Sequence, residues 1–295
     1  MQKIILITGA TDGIGKVAAK TLAKQGHTVI IHGRNKDKAL AVSKEITSET
    51  GNNNIETIIA DLFSLKEVKR MAEEFKARYG CLDVLINNAG AMLGKNRETN
   101  KEGLEKTMTL NVFSPLLLTE LLMDVLVKSP SARIINTSSS MHRRAAKPDF
   151  NDLQLEKGYN PAGSYALSKL YLIWLTRHKA SQLEKQGIKN VTVNASHPGV
   201  AATQFGQAND KGFLINMGFK SMAGLSKLLP TVASAEKGAA TTVYLATSHQ
   251  VESISGKYFD NKMKEEKPQD KHYSIENEQQ LWDSCMRIIS PYLMK

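Results

Sequence analysis

The feature that most constrains the fold is a glycine-rich loop between a short apolar run and a helical pattern near the start of the chain. Ile4 to Ile7 form the apolar run, which is typical of a buried parallel strand. The loop follows as Thr8-Gly9-Ala10-Thr11-Asp12-Gly13-Ile14-Gly15, and apolar residues then recur at helical spacing up to Gly26. Strand, glycine loop and helix in this order predict one unit of a parallel α/β sheet.

The same loop is a candidate binding site for a nucleotide. Glycines allow the main chain to turn tightly and to approach a pyrophosphate group, and the N-terminus of the next helix presents free N–H groups to it. The spacing G-x-x-x-G-x-G differs from the commoner dinucleotide pattern G-x-G-x-x-G, and a glycine turn without a ligand is the alternative. The position between strand and helix favours nucleotide binding, with Thr8, Gly9, Asp12, Gly13, Ile14 and Gly15 as the candidate residues.

The end of the second predicted strand bears on the choice of nucleotide. Thr28 to His32 form this strand, and Gly33 and Arg34 follow it. An acidic residue here would bind the ribose hydroxyls of NAD and repel the 2′-phosphate of NADP. Gly33 takes that place, and the guanidinium of Arg34 can bind the extra phosphate. The sequence therefore favours NADP(H) over NAD(H), with a solvated loop arginine as the alternative.

Apolar strands, polar strand ends and amphipathic helices continue to alternate along the chain. A helix is predicted over about 36–50, and further strands lie at Ile55 to Ala60, Val84 to Ile86, Arg133 to Asn136 and Val191 to Asn194. This alternation predicts a doubly wound parallel α/β sheet with helices on both faces. With no linker-like stretch, we expect a single domain over residues 1–295. Ligands should bind at the carboxyl ends of the strands.

Composition and charge exclude several classes of protein. The 295 residues are 41% apolar, which allows a substantial core, and no run approaches the roughly 18 apolar residues of a membrane span. Two cysteines, Cys81 and Cys285, make neither a disulfide framework nor a metal cluster. The net charge of +10 is spread along the chain without a nucleic-acid-binding motif. We expect a soluble cytoplasmic protein without metal, nucleic acid or stable membrane insertion.

Tyr165 and Lys169 form a candidate acid–base pair. Their spacing places both side chains on one face of a helix, one turn apart. A lysine cation near the phenol oxygen favours the phenolate, so the phenol can transfer a proton near neutral pH. Taken alone, the spacing also occurs on solvated helix faces.

The ordered set of motifs resembles the short-chain dehydrogenase/reductase family over about residues 3 to 260. The set contains the glycine loop, Asp61 after the third strand, Asn87-Asn88-Ala89-Gly90 after the fourth, Asn111, the serines after the fifth strand, Tyr165 and Lys169, and Pro198-Gly199 with Thr203. The resemblance implies a Rossmann-like sheet of about seven parallel strands.

The resemblance also implies catalytic roles. Tyr165 would donate a proton to the substrate carbonyl oxygen as hydride arrives from the nicotinamide. Lys169 would lower the tyrosine pKa and bind the nicotinamide ribose, and Asn111 would hold a water linked to Lys169. A serine would hydrogen-bond the carbonyl oxygen. Alignment with the family's paired serines favours Ser139 for this role, with Ser138 as the alternative.

Cofactor contacts follow from the same resemblance. Asp61 and Leu62 would frame the adenine, Asn88, Ala89 and Gly90 would line the cofactor groove, and Thr203, after Pro198 and Gly199, would bind the carboxamide. Asp12 departs from many NADP-using members, which have a basic residue at that loop position. The NADP(H) prediction therefore depends mainly on Arg34, and assistance from Lys16 stays open.

Two further segments bear on the substrate. Ser139 lies twenty-six residues before Tyr165, about twice the interval of many members, and the insertion resembles the retinol dehydrogenase and WW-domain oxidoreductase branch. The apolar segment at about 204–230 is expected to cover a hydrophobic substrate, with an ordinary amphipathic helix or a membrane-lying segment as alternatives. A final helix is predicted over about 275–292, and a polar stretch from Lys262 to Lys271 as a solvated loop.

We therefore expect an NADP(H)-dependent oxidoreductase that moves hydride between nicotinamide and a carbonyl or alcohol, mostly as a reductase of a lipophilic aldehyde or ketone such as a retinal-like compound. A homo-oligomer is compatible with the family. The alternative from another class is a non-catalytic NADP-binding redox regulator, which would typically lack part of the catalytic set that this chain retains. Carbon–carbon double-bond reduction or epimerisation on the same residues also stays open.

Overall fold

The computed structural model describes residues 2–199 and 235–294, which contain seven parallel strands in one sheet. The sheet order is β3-β2-β1-β4-β5-β6-β7, and every pairing is parallel. This confirms the predicted doubly wound sheet. The strands are β1 (Ile4–Ile7), β2 (Thr28–Gly33), β3 (Ile55–Ile59), β4 (Val84–Asn87), β5 (Ala132–Thr137), β6 (Val191–Ser196) and β7 (Tyr258–Phe259).

Helices cover both faces of the sheet. Most begin at a polar residue whose side chain accepts a hydrogen bond from a free N–H of the first turn, as Asp12, Asn35, Ser64 and Asn160 do. The described helices are α1 (Gly13–Lys24), α2 (Lys36–Thr50), α3 (Leu65–Arg78), α4 (Lys106–Leu126), α5 (Pro161–Lys185), α6 (Ala235–Thr247) and α7 (Ile275–Leu293).

Alternation along the strands divides the core into two layers. Ile5 and Ile7 of β1 pack with residues of α1, α2 and α6, whereas Leu6 of the same strand packs in the larger cluster formed with α3, α4, α5 and α7. Burying one such side chain contributes roughly 1.5–3 kcal/mol. A sheet buried on both faces leaves its strand ends as the place for polar groups.

Helix α4 is long and apolar enough, by length and composition, to cross a membrane, although the sequence analysis predicts no such segment. Inside the fold, 72% of its most apolar window is buried, as in the core helix of a globular domain. Its second turn, Thr109–Phe113, is a π turn.

The region after β7 is tied to α5. The Asp270 carboxylate accepts hydrogen bonds from Arg177 at 2.7 Å and from the Trp174 indole at 3.3 Å. The stretch from Lys262 to Lys271, predicted as a solvated surface loop, is mostly exposed, whereas the Asp270 side chain within it is largely buried against the helix. The final helix, Ile275–Leu293, lies where the sequence predicts about 275–292.

Candidate active site

The glycine loop after β1 is joined to the end of β4 by side-chain and main-chain hydrogen bonds. The Thr8 hydroxyl oxygen accepts from the main-chain N–H groups of Asn88 at 2.9 Å and Ala89 at 3.0 Å. In return, the Asn88 amide donates to the carbonyl oxygens of Thr8 at 2.9 Å and Gly9 at 3.2 Å. The two predicted motifs therefore form one surface at the carboxyl edge of the sheet.

Close main-chain approach explains the glycines of this loop. A Cβ on Gly15 would lie 2.4 Å from the Gly9 carbonyl oxygen and 2.5 Å from Asn88 Nδ2. Gly9 has φ +64°, in the left-handed region that favours glycine. Asp12 caps α1 by accepting a hydrogen bond from the Gly13 N–H at 2.8 Å. Because no side chain lies between the main chain of the loop and the N-terminus of α1, the loop can accommodate a pyrophosphate group.

His32 is a structural member of this edge that the sequence analysis missed. Its Nδ1 accepts a hydrogen bond from the Gly9 N–H at 3.1 Å, so its Nε2 carries the proton and donates to the Ala60 carbonyl oxygen at 3.0 Å. Burial lowers its pKa to about 4, which keeps the ring neutral. His32 thus links the ends of β1, β2 and β3. The signal in the sequence was a histidine within an apolar strand.

Arg34 follows β2 and is exposed, and it forms no ion pair with another described residue. Two nearby cations are engaged: Lys38 pairs with Asp12 at 2.7 Å, and Lys16 pairs with Glu45 on α2, also at 2.7 Å. Arg34, like Lys36 two residues later, therefore has a charge that no described carboxylate offsets.

Three more predicted cofactor residues surround this edge. Ile14 packs against α6, where a Cβ on Gly238 would lie 3.0 Å from Ile14 Cδ1. Asp61 is exposed at the end of β3, and its Oδ1 accepts from the Phe63 N–H at 3.0 Å. Leu62 beside it is buried. Part of the Asp61 carboxylate thus stabilises the turn after β3.

Tyr165 and Lys169 are buried on α5, with 4% and 2% of their surfaces exposed, which rules out the solvated-face interpretation. The Lys169 ammonium lies 5.5 Å from the centroid of the Tyr165 ring and donates to the Thr137 carbonyl oxygen at 2.8 Å. The Tyr165 phenol is hydrogen-bonded to the Ser139 side chain. Residues from β5 and α5 therefore meet at one point.

Burial shifts the pKa values of both groups. It lowers the pKa of the Lys169 ammonium to about 7. It raises the pKa of the Tyr165 phenol above its usual value, and the hydrogen bond with Ser139 offsets only part of this rise. One donor of the Lys169 ammonium is bonded to the Thr137 carbonyl oxygen, and the expectation that Lys169 lowers the phenol pKa stays a prediction.

The two candidate serines have different surroundings. The Ser138 hydroxyl is buried and donates to the main-chain carbonyl oxygen of Lys169 at 2.8 Å. The Ser139 oxygen accepts from the Met141 N–H at 3.2 Å while its side chain bonds to Tyr165. Ser138 therefore holds α5 against β5, and Ser139 lies at the phenol.

Asn111 lies in the π turn of α4, where its side chain bonds to the loop after β4. Its Oδ1 accepts from the Ala91 N–H at 3.0 Å, and its Nδ2 donates to the Ala91 carbonyl oxygen and to Ser168 Oγ, each at 3.0 Å. A Cβ on Gly90 would lie 2.9 Å from Lys169 Nζ and 3.0 Å from Asn111 Oδ1. Gly90 is thus the point where the loop edge meets the buried pair.

The segment after β6 begins with a structured turn. Pro198 contacts α6, and the His197 ring accepts from the Gly199 N–H at 3.1 Å. Gly199 has φ +73°, and a Cβ there would lie 2.7 Å from Asn261 Nδ2. Thr203 and the predicted cover at about 204–230 lie outside the described residues.

A buried polar ladder, also missed from sequence, aligns α4, β4, β5 and α5. The Asn87 amide donates to Asn136 Oδ1 at 2.9 Å and to the Thr119 hydroxyl at 3.2 Å, and the Asn136 amide donates to the Thr176 hydroxyl at 2.9 Å. The asparagines were visible as polar strand ends, but they bond inside the fold. They set the position of the helix that carries Tyr165.

The sequence and fold are similar to those of known proteins. The family model for short chain dehydrogenases matches residues 3–212. Human polyprenol dehydrogenase is 36% identical over 289 residues, covering 96% of this chain and 84% of that protein. Human retinol dehydrogenase 13 is 35% identical over 288 residues, covering 97% and 84%. The structure of a short chain dehydrogenase from Shigella flexneri complexed with NADP has a TM-score of 0.67 and 27% identity, covering 88% of this chain and 97% of that chain.

Proposed function

The chain belongs to the short-chain dehydrogenase/reductase family, in its retinol dehydrogenase-like branch, and we propose that it reduces a lipophilic aldehyde or ketone with NADPH. As a member of this family it is an NAD(P)-dependent oxidoreductase acting on CH–OH or C=O groups. The observation that carries the proposal is the buried Tyr165 phenol, bonded to Ser139 with Lys169 one turn away.

The loop edge has the right construction for a nicotinamide dinucleotide. The Gly9–Gly15 approach leaves no room for side chains, so main-chain N–H groups at the start of α1 would bind the pyrophosphate. Asp61 and Leu62 would contact the adenine, and Asn88 to Gly90 would line the path to the buried pair. When bound, the nicotinamide supplies or accepts the hydride.

Tyr165 and Ser139 act on the substrate oxygen. The high phenol pKa keeps Tyr165 protonated at neutral pH, so it is ready to donate to a carbonyl oxygen that gains negative charge. Ser139 hydrogen-bonds the same oxygen and positions it. The Met141 N–H already occupies one lone pair of Ser139 Oγ, which leaves the hydroxyl proton for donation.

Lys169 and Asn111 provide the route by which a proton reaches Tyr165 from solvent. With its pKa at about 7, Lys169 can be charged or neutral near physiological pH, which suits a group that binds ribose hydroxyls and exchanges a proton. Asn111 flanks Gly90 together with Lys169, at a place where its Oδ1 can hold a water next to the ammonium.

Arg34 supports NADP(H) over NAD(H). Since it has no described carboxylate partner, its full charge is available to a 2′-phosphate, whereas a carboxylate at the end of β2 would repel one. The Shigella flexneri relative was solved with NADP, which agrees with this preference.

The proposed substrate class comes from the relatives. Human retinol dehydrogenase 13 and polyprenol dehydrogenase are named for long apolar alcohols, and each matches more than nine-tenths of this chain. We extend that class to this chain as a lipophilic aldehyde, ketone or alcohol. A cytoplasmic location and a homo-oligomer remain predictions.

The test follows NADPH absorbance with medium-chain and long-chain aldehydes, ketones and retinal, for the wild type and for Tyr165→Phe. Turnover should fall by about 10³-fold in the variant, because the general acid is lost, while NADPH binding persists. Tyr171→Phe is the matched control, since Tyr171 is a buried tyrosine on the same helix whose loss should leave turnover unchanged.

Two results would contradict the proposal. Turnover that survives in Tyr165→Phe would remove this residue from its role. Tight NADPH binding without turnover on any substrate of the panel would favour the non-catalytic regulator instead.

A further inference from the structure

His142 is a buried histidine that the proposed reaction does not use. It lies beside the cluster of Ser139, Tyr165 and Lys169, which we call the pocket. It lies in the 3₁₀ turn Ser140–Arg144, which follows Ser139, and only 1% of its surface is exposed. The ring of a neutral histidine has one N–H donor and one acceptor nitrogen. In His142 the Nε2 atom is buried without a hydrogen-bond partner among the described residues, so the bonds of Nδ1 and of the main-chain N–H indicate what the residue does.

Both N–H groups of His142 point to the same atom. The main-chain N–H donates to the Ser139 carbonyl oxygen at 3.1 Å, and the ring Nδ1 lies 2.7 Å from that oxygen. Because a carbonyl oxygen only accepts, Nδ1 carries the proton. The Ser139 main chain is thus held twice by one residue, three positions later in the chain.

The ring of His142 is itself held in place. It meets the ring of Tyr258 edge to face, with centroids 5.1 Å apart and an interplanar angle of 77°. Tyr258 in turn stacks on His197 at 5.6 Å. The Tyr258 hydroxyl lies 3.3 Å from His142 Nδ1, which is a longer contact than the one to Ser139. Packing against β7 therefore fixes the ring, and the ring fixes Ser139.

We propose that His142 is a positioning residue, which holds the Ser139 carbonyl oxygen so that the Ser139 hydroxyl stays directed at the substrate oxygen. The inference rests on the proposed function of Ser139. Burial lowers the pKa of His142, so the ring stays neutral and keeps this single-proton geometry across the physiological range. Small displacements of a group that contacts the reacting atoms lower turnover without changing cofactor affinity.

Two substitutions separate the hydrogen bond from the packing. His142→Phe keeps an aromatic ring against Tyr258 but removes the donor. His142→Asn keeps a side-chain N–H near the position of Nδ1 but removes the ring. We expect His142→Phe to lower kcat by about tenfold with unchanged KM for NADPH, and His142→Asn to restore most of this loss.

A double-mutant cycle with Ser139→Ala tests whether His142 acts through Ser139. His142→Phe should lower kcat in the wild type and cause no further loss in the Ser139→Ala background. His178→Phe is the matched control, because His178 is a buried histidine that stacks on Trp282 away from the pocket. Thermal melting of every variant separates lost stability from lost positioning.

Equal losses of kcat in both backgrounds would overturn the inference, as would a loss in His142→Asn as large as in His142→Phe. Turnover by the wild type together with either of these results leaves the proposed function intact. No turnover by the wild type overturns both, since Ser139 then has no substrate to position.

Discussion

The two halves of the carboxyl edge are built in different ways. At the glycine loop, most contacts involve main-chain atoms, as between Gly9, Gly15 and the Asn88 side chain. At the pocket, side chains from distant parts of the sequence meet, as Ser139 does with Tyr165. The conformation of the loop therefore depends on glycines, which have no Cβ. The chemistry of the pocket depends on which polar side-chain atoms are present.

The largest expected effect comes from a substitution that changes the pocket and leaves the glycine loop intact. Ser139→Ala should lower kcat by about 10²- to 10³-fold with unchanged NADPH affinity, because it removes a donor to the substrate oxygen. Ser138→Ala is the matched control. It removes a buried bond to Lys169 and should cost about 1–3 kcal/mol of stability with a smaller loss of kcat. Steady-state kinetics and thermal melting measure both, and the opposite pattern would make Ser138 the catalytic serine.

The next largest effect comes from a substitution that distorts the glycine loop and leaves the pocket intact. Gly15→Ala adds a Cβ 2.4 Å from the Gly9 carbonyl oxygen, so the main chain has to shift. Overpacking costs about 1–3 kcal/mol of stability. Because the displaced main chain is the part that would bind the pyrophosphate, we expect NADPH binding to weaken by about tenfold or more, which fluorescence titration measures. Gly80→Ala is the control, since no atom lies within 4 Å of its Cβ position. Equal affinity in both variants would show that the close approach does not matter for the cofactor.

A smaller effect concerns Arg34, the cationic side chain that we propose binds the 2′-phosphate of NADP(H). Arg34→Asp should lower kcat/KM for NADPH by about tenfold and raise it for NADH, because a carboxylate repels the 2′-phosphate. Lys36→Asp makes the same change of charge two residues later and should leave the preference nearly unchanged. An equal preference before and after the Arg34 change would remove this residue from its role.

The smallest effect is on stability and its pH dependence. Lys169 has a pKa of about 7 in the fold, and about 10.4 in an unfolded chain. Between these values the unfolded state binds more protons, so the free energy of unfolding rises with pH. Lys169→Met should raise the melting temperature at pH 7 by a few degrees and flatten this rise, with the exposed Lys185→Met as control. A slope as steep as that of the wild type would contradict the buried-lysine explanation.

Much of the fold could be predicted because its signals are local. Ile4–Ile7 and the glycine spacing after it are short patterns that sterics and hydrogen bonding translate directly into a strand and a tight turn. The order of such units then allows few topologies, since parallel strands need right-handed crossovers. The same holds for Arg34, whose proposed role depends on its place directly after a strand.

The pocket was predictable in its members but not in its geometry. Ser138 and Ser139 are adjacent, so their side chains point in different directions, and the packing of β5 against α5 decides which of them meets Tyr165. His32 and His142 give no periodic signal, because each bonds to the main chain of a segment that only the fold brings near.

The sequence by itself determined the sheet and the glycine loop, because periodicity and spacing act over a few residues, and the resemblance to the family made Tyr165 and Lys169 the candidate acid–base pair. The tertiary structure decided how deeply that pair is buried and which of the two serines lies at the Tyr165 phenol. A pKa depends on how many water molecules the whole fold removes from a group, as burial of Lys169 shows. Local spacing contains no measure of that burial, so only the packed sheet and helices could set it.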